Sequence, residues 1–329
     1  VGDNGRMNGN GRRAPLGVAQ GQVRAGIVLW TMNEWYAVLV DGRQWRCRLR
    51  GVLRKRGKAA VLPVIGDRVT VRPTGEGEGM IEAIAPRRST FSRRAAGPKG
   101  AWREQVLAAN IDQVFVVFAA ARPEPHLRVV DRFLVIAEAN KLPAHLIVNK
   151  IDLVGEATAR QTFGVYERVG YPVRYCSATQ RIGLEGLPAE LAGRTTLLAG
   201  PSGVGKSSLI NALVPGLNLR TAPISEALNK GRHTTVVGQL LPLPWGGFVA
   251  DTPGLREVAP WNIPPEDLDV CFPEFRPHLG RCRFSDCLHA REQGCAVRAA
   301  VERGDVDGER YESYLRLLEE ALEAERVAT

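Results

Sequence analysis

Gly200-Pro-Ser-Gly-Val-Gly-Lys-Ser207 is the stretch that decides the fold of this chain. It fits G-x-x-x-x-G-K-S, a loop that wraps nucleotide phosphates, and it stands in the context the motif requires. The apolar run Thr195–Ala199 before it reads as a buried strand, and a helix opens at Lys206. Glycines let the backbone turn its N–H groups towards phosphate, and the helix N-terminus adds a favourable dipole. Gly200, Pro201, Ser202, Gly203, Val204, Gly205, Lys206, Ser207 and Ser208 are therefore expected to cradle the phosphates. Lys206 should reach the β- and γ-phosphates and act catalytically, and the Ser207 hydroxyl should coordinate Mg²⁺.

The loop alone implies only a nucleoside triphosphate. The base is chosen by Asn149-Lys-Ile-Asp152, which follows the apolar strand Ala144–Val148. A carboxylate at Asp152 accepts hydrogen bonds from guanine N1–H and the 2-amine, a donor pair that adenine lacks. Asn149 should bridge to a neighbouring loop and the base edge, with the Lys150 stem covering the ring. Ser177-Ala178, after the strand Val173–Cys176, supplies a loop whose backbone meets guanine O6. Asn229-Lys-Gly-Arg232 lacks the final Asp and is not read as base recognition. Asp251-Thr-Pro-Gly254, at the end of Phe248–Ala250, completes the set. Asp251 should hold Mg²⁺ through water and the Gly254 N–H should sense the γ-phosphate. Between the two lies Gly231-Arg-His-Thr-Thr235; one of its threonines should close on Mg²⁺, and Thr235 is favoured.

Gln113–Ala121 is a further apolar strand and Leu127–Asn140 has helical periodicity. Buried strands alternating with helices imply a parallel sheet covered on both faces. In a Ras-like GTPase the phosphate loop comes first and base recognition fourth. Here the order is four, five, one, two, three, that of a circular permutant, which is feasible because domain termini often lie close together. Asp251 then stands near the end of the GTPase domain, so the C-terminal segment is coupled directly to it. The connector from Gly254 to Cys282 contains Pro260, Pro264 and Pro265, with Pro253 just before it, and should be stiff.

Working towards the N-terminus, Gln22 to Ile84 holds short β-rich runs between Gly-containing turns: Gly26–Trp30, Trp35–Val40, Gln44–Leu49, Asp67–Val71 and Met80–Ile84. Their spacing and alternation predict a small closed barrel of five strands, like an oligonucleotide-binding fold. Arg46, Arg48 and Arg50 alternate and so share one face, and Arg54-Lys-Arg56 with Lys58 forms a basic loop. Trp30, Trp35, Tyr36 and Trp45 could stack on bases, although barrel core is the better reading for most of them. Residues 1–103 hold 20 Lys/Arg against 7 Asp/Glu, whereas the remainder holds 24 against 28. A basic domain joined to a slightly acidic one points to nucleic acid as the partner of the first third.

Towards the C-terminus, Cys282-x4-Cys287-x-His289-x5-Cys295 offers three thiolates and one imidazole, which suits a closed tetrahedral structural Zn²⁺. Cys271 and His278 are alternative ligands at poorer spacing, and Cys47 and Cys176 read as core residues. Few apolar residues lie in Pro273–Gly294, so zinc is expected to substitute for a core there. Arg276, Arg281, Arg283 and Arg291 would decorate it for RNA contact, and a charged amphipathic helix, about Glu309–Val327, closes the chain. Of 329 residues 44% are apolar, yet no run approaches the roughly 20 needed to span a membrane. The Gly-, Asn- and Arg-rich start lacks the apolar core of a secretory signal, so a cytoplasmic location with reduced thiols is expected.

With these motifs in hand, the chain resembles the bacterial ribosome-small-subunit-dependent GTPase A family. The resemblance is carried by Val64-Ile-Gly-Asp-Arg-Val69, Ala108-Ala-Asn-Ile-Asp-Gln113, Asn149–Leu153, Gly200–Asn211, Gly231–Thr235 and the Cys/His cluster, from roughly Gly26 to the C-terminus. It implies a multidomain protein: a disordered tail (1–21), an OB-like RNA-binding β-barrel (22–86), a basic linker (87–103), a central α/β P-loop GTPase domain, circularly permuted (104–258), and a C-terminal α-helical zinc-binding domain (259–329). It also implies GTP hydrolysis, with Mg²⁺ as cofactor and one structural Zn²⁺, stimulated by the ribosomal small subunit during its late assembly. The partners are that subunit and its rRNA, with GTP and GDP as ligands, no membrane, and a monomeric chain. Leu255 stands where Ras carries its water-orienting glutamine, and a leucine cannot do that. The family implicates the histidine of the Gly231–Thr235 motif, so His233 is the candidate for positioning water, with Arg232 second as a charge stabiliser. Leu255 also keeps a rival alive, an RNA-binding scaffold that uses bound GTP only as a conformational ligand. A permuted GTPase acting on the large subunit is disfavoured by the pairing of barrel and zinc site.

Asp152→Asn is expected to shift base preference from GTP towards xanthosine triphosphate, because an amide complements the xanthine 2-oxo group. Competition binding checks it. Unchanged GTP affinity with no gain for xanthosine triphosphate counts against the assignment.

Overall fold

The computed structural model describes residues 22–51, 62–96, 102–216, 238–251 and 263–328. The 1–21 tail and the Arg54–Lys58 loop lie outside them. Five strands open the described chain: β1 (Arg24–Met32), β2 (Trp35–Val40), β3 (Arg43–Leu49), β4 (Arg68–Gly75) and β5 (Glu78–Ile84). They pair as β1-β2-β3-β5-β4, and β4 returns to β1 to close the barrel. Of these pairings only β3 with β5 is parallel. Alternation decides which side chains face inwards. On β3, Cys47 and Leu49 are buried while Arg46 and Arg48 are exposed. Burial pushes the Cys47 thiol up to about 11, as befits a core residue.

Residues 87–103, expected as a basic linker, instead largely form a hairpin. β6 (Thr90–Ala96) pairs antiparallel with β7 (Trp102–Ala109), from Thr90 opposite Ala109 to Ala96 opposite Trp102. Charge and Gly/Pro content hid it, because the pairing partner is supplied by the next strand rather than by the segment itself. Phe91 anchors it, fully buried in the core of the central domain.

The root of this hairpin fixes the barrel. Buried Asp67 accepts two hydrogen bonds from the Arg87 guanidinium, each 2.8 Å, and a third from the Val64 N–H. Asn110 Nδ2 donates to the Gly66 carbonyl at 2.9 Å, and its Oδ1 accepts from the Arg88 N–H. Gly66 has φ +83°, and a Cβ there would sit 2.1 Å from the Ala109 carbonyl oxygen. The segments 64–69 and 108–113, distant in sequence, thus meet at one joint.

The central domain runs β8 (Gln113–Ala119), α1 (Leu127–Ala139), β9 (Ala144–Asn149), α2 (Glu156–Val169), β10 (Val173–Tyr175), α3 (Leu187–Leu191), β11 (Thr195–Ala199), α4 (Lys206–Leu213), β12 (Gln239–Pro242) and β13 (Phe248–Asp251). Its strand order is β10-β9-β8-β11-β13-β12, parallel except for β12. All seven residues of β8 are buried, as a strand covered on both faces requires. At Trp30 opposite Gln239, barrel strand β1 joins β12, so barrel and central sheet are continuous. Leu29, Ala37 and Ile65 pack in the same core as Phe118, Leu240 and Ala250.

The C-terminal unit begins with short 3-10 turns between Pro265 and His278, then α5 (Ala296–Arg303) and α6 (Gly308–Ala328). Phe272, Phe275, Tyr314 and Leu318 make its own small core, and α6 packs on α1.

Gly66→Ala is expected to destabilise the protein by at least about 2 kcal/mol, since the new Cβ meets both left-handed strain and a backbone oxygen. Urea unfolding monitored by circular dichroism measures it; a wild-type midpoint would show that the joint yields freely.

Candidate nucleotide site and metal centre

The phosphate loop lies between β11 and α4 at the C-terminal edge of the parallel strands, where α/β sheets bind ligands. Its glycines are dictated by contact as well as by turn geometry. Gly200 has φ +138°, and a Cβ there would fall 2.2 Å from the Val117 carbonyl oxygen. Gly205 has φ +97°, and its Cβ would meet Asn149 Nδ2 at 2.3 Å. Lys206 Nζ donates to the Gly200 and Pro201 carbonyls, both at 2.7 Å, so the ammonium sits over the loop. Ser207 and Ser208 follow on the first turn of α4, half-buried.

Asn149 holds the site together. Its side chain is buried at 1% exposure. Nδ2 donates to the Val204 carbonyl in the phosphate loop, and Oδ1 accepts the Ala178 N–H, each at 3.0 Å. One amide thus ties the base-recognition strand to the first and fifth motifs. Lys150 adopts φ +64°, and its Nζ donates to the carbonyls of Gly203 and Arg122. Its stem therefore reaches from β9 to the phosphate loop. Asp152 is exposed on the short turn Ile151–Leu153, where it can face a ligand from water. Ser177 is fully buried, and its Oγ accepts the Gln180 N–H at 3.1 Å, closing the loop that presents Ala178.

Asp251 ends β13, in register with Leu198 of β11 and Gln239 of β12, on the phosphate-loop side of the sheet. Arg232, His233, Thr235, Gly254 and Leu255 lie outside the described residues, as does the start of the connector, up to residue 262.

In the C-terminal unit the four expected metal ligands come together. Their donor atoms all lie within 4.8 Å of one another. His289 Nδ1 is 3.5, 3.5 and 3.4 Å from the Sγ atoms of Cys282, Cys287 and Cys295, and Cys282 lies 4.0 Å from Cys295. A tetrahedral zinc ion with its usual bond lengths has S···N edges of about 3.6 Å and S···S edges of about 3.8 Å. The donor set therefore fits zinc in type and in size. Nearby groups complete it. His289 Nε2 faces Asp269 Oδ2 at 3.1 Å, leaving Nδ1 for metal. The N–H groups of Ala296 and Arg298 point at the sulfurs of Cys282 and Cys295. Cys271 is excluded: it is buried, its thiol contacts the Asp267 carbonyl, and burial pushes it up to about 12. His278 also stays outside the cluster. Asp269 is a functional residue that the sequence did not reveal, since a lone Asp 13 residues before Cys282 carries no spacing signal.

On the barrel, Tyr36 is buried, while Trp30 and Trp45 pack against cores. Trp35 differs. The guanidinium carbons of Arg46 and Arg48 lie 3.6 and 4.0 Å from its ring centroid, making a cationic aromatic platform on the outer face. The four arginines expected to decorate the zinc unit, Arg276, Arg281, Arg283 and Arg291, are all exposed, and Arg276 also pairs with Glu138 at 2.5 Å.

The family description RsgA N-terminal domain matches residues 25–81, and RsgA GTPase matches residues 84–261. The Small ribosomal subunit biogenesis GTPase RsgA of Gemmatimonas aurantiaca is 51% identical over 298 residues, covering 90% of this chain and 96% of that one. Its namesake in Moorella thermoacetica is 43% identical over 301 residues, covering 92% and 98%. Among solved structures, YjeQ from Thermotoga maritima aligns with a TM-score of 0.74 at 36% identity, covering 92% of this chain and 99% of that one. YloQ, described as a circularly permuted GTPase, aligns at 0.69 with 29% identity, covering 93% and 97%.

Purified protein is expected to carry about one zinc ion per chain, and Cys287→Ser to lose most of it while still binding nucleotide. Metal analysis by mass spectrometry, with fluorescent GDP binding alongside, checks both; full zinc retention in the variant would remove Cys287 from the ligand set.

Proposed function

The chain belongs to the RsgA GTPase family, and from that premise we propose that it hydrolyses GTP to GDP and phosphate in the late assembly of the small ribosomal subunit, which stimulates it. The observation that carries this reading is the Asn149 amide, which joins the phosphate loop to the loop beside the base position. A nucleotide bridging those loops has its base at Asp152 and its phosphates at Lys206. The amide and glycine contacts preorganise both ends, and positioning with charge neutralisation supplies most of phosphoryl-transfer catalysis.

Each residue has a distinct task in this mechanism. The backbone N–H groups of 202–208 and the Lys206 ammonium hold the β- and γ-phosphates. Asp152 selects guanine, Lys150 covers the ring, and Ala178 offers its backbone to O6. Ser207, Thr235 and Asp251 would hold Mg²⁺, directly or through water; bound with GTP it neutralises charge on the β- and γ-phosphates. Gly254 reads the γ-phosphate. His233 positions the attacking water in place of a glutamine, which Leu255 cannot replace, and Arg232 is the alternative group. In the zinc unit, Cys282, Cys287, His289 and Cys295 would hold one structural zinc ion.

The Trp35–Arg46–Arg48 platform supports rRNA contact by the barrel, because guanidiniums stacked on an indole keep their N–H edges free for phosphate. Exposed Arg281, Arg283 and Arg291 support a second contact on the zinc unit. Among the described residues no helix is long and apolar enough to cross a membrane. The protein acts in this reading as a cytoplasmic monomer. Its units are the barrel (22–86), the permuted GTPase domain (104–258) and the zinc domain (259–329), with the β6–β7 hairpin between the first two.

Turnover measured with and without purified small subunits separates an enzyme from a GTP-binding scaffold. Stimulation by small subunits is expected, and its absence, with nucleotide binding intact, favours the scaffold. In the same assay His233→Ala should lower single-turnover hydrolysis by about 100-fold or more while GTP affinity changes little. Intact hydrolysis in that variant removes His233 from the mechanism.

A further inference from the structure

Arg310 is the largest side chain fully buried in the described chain. It stands in the first turn of α6, yet its partners come from two other places. Nη1 donates to Asp131 Oδ1 of α1 at 2.7 Å. Nε and Nη2 fork onto Glu274 of the zinc unit at 2.7 and 3.1 Å. Its guanidinium carbon also lies 4.7 Å from the Phe272 ring and 5.6 Å from that of Tyr166 in α2. The Tyr166 hydroxyl in turn donates to Asp131 Oδ1 at 2.7 Å. Burial works to lower the Arg310 pKa, but Asp131 and Glu274 outweigh it and hold the guanidinium above the ordinary arginine value. Around this node lie outer pairs between the same elements: Arg132 with Glu320, Arg128 with Glu312, and Arg168 with Asp307.

The two helices gripped here flank the base-recognition loop on both sides. α2 begins at Glu156, four residues beyond Asp152, with the Gly155 N–H bonded to the Ile151 carbonyl at 2.7 Å. α1 begins at Leu127, after a segment whose Arg122 carbonyl accepts the Lys150 ammonium. Any shift of α1 relative to α2 is therefore felt by Asn149–Asp152 from both ends. Asp131 ties the helices together through Tyr166, and Arg310 fixes that carboxylate from the zinc unit.

We propose that Arg310 is a positioning residue for the guanine-recognition loop: docked on Asp131, Tyr166 and Glu274, it clamps α1 and α2 and so holds Asn149–Asp152 in its nucleotide-binding geometry. This rests on the reading of Asn149–Asp152 as the base loop. The zinc unit then contributes to affinity for GDP and GTP alike, because the base is common to both. It does not touch the reacting phosphate. Coupling of this kind is reciprocal, so nucleotide must also tighten the docking of α6.

Hydrogen exchange on the wild-type protein is the first test. Saturating GDP should slow exchange of α6 amides around Arg310, and unchanged α6 exchange overturns the proposal. The second test uses Arg310→Lys, which keeps the charge but cannot fork onto Glu274 while reaching Asp131. Its affinity for fluorescent GDP and for GTP should fall by about tenfold, inside the usual range for coupled sites. Single-turnover hydrolysis at saturating GTP should stay within about twofold of wild type, because the phosphate end is untouched. Wild-type GDP affinity in a variant whose α6 amides exchange faster also overturns it. Asp152→Asn separates the two levels: if that variant gains xanthosine nucleotides while Arg310→Lys leaves affinity unchanged, the base reading stands and the clamp fails.

Discussion

The site depends on satisfying one buried amide. Asn149 is removed from water, so both of its polar ends need partners or the burial costs a few kcal/mol. Its nitrogen donates to Val204 and its oxygen accepts from Ala178, and those two residues belong to loops 26 positions apart in the chain. Gly205 is required for the same reason, since any Cβ there would occupy the space of Asn149 Nδ2. Satisfying one residue therefore assembles three motifs. Because the constraint is spatial, the order in which the chain visits the loops is immaterial. The β10-β9-β8-β11-β13-β12 sheet forms even though β9 and β10, which lead into the Asn149 and Ala178 loops, precede the phosphate loop in the chain.

The flanking units are attached to this centre by different physics. The barrel is joined by backbone and by apolar packing. β1 continues the sheet beside β12, Leu29 and Ile65 enter the central core, and the Asp67–Arg87 fork locks the hairpin root. The zinc unit is joined by buried charge as well as by apolar packing, with Val135 of α1 inside its core. A guanidinium without water is tolerable only when carboxylates surround it, and removing one partner of such a group costs several kcal/mol. Arg310, Asp131 and Glu274 meet that requirement at 2.7 Å contacts. Inside the same unit, three cysteine sulfurs and an imidazole are gathered at separations that fit zinc ligation, beside a core of a few aromatic rings. The covalent connection after Asp251 is thus only part of the linkage to the zinc unit, since α6 is also packed directly on α1.

These attachments shape how the protein can work. Flanking units fixed to the central sheet present the Trp35–Arg46–Arg48 platform and the exposed arginines of the zinc unit as one body. Two contacts on a rigid body gain from each other more than two contacts on a flexible tether, because less freedom is lost when the second forms.

The sequence alone determined everything that depends on local spacing. The phosphate loop, Asn149-Lys-Ile-Asp152, the permuted order and the Cys/His ligand set are short patterns whose chemistry needs those residue types at those intervals. Strands such as Gln113–Ala119 and the β3 alternation were legible because burial imposes periodicity on neighbouring residues. Tertiary structure decided what depends on distant partners. The hairpin inside 87–103 was invisible, because a strand rich in Arg and Ala becomes one only when β7 pairs with it. Arg276 is a surface charge in sequence and in structure, but only the fold sets Glu138 beside it. Asp269 and Arg310 carry no pattern at all, because a lone polar residue looks the same in sequence whether it faces water or a buried partner. Only the fold brings that partner within about 3 Å, and a hydrogen bond or ion pair exists nowhere but in that distance.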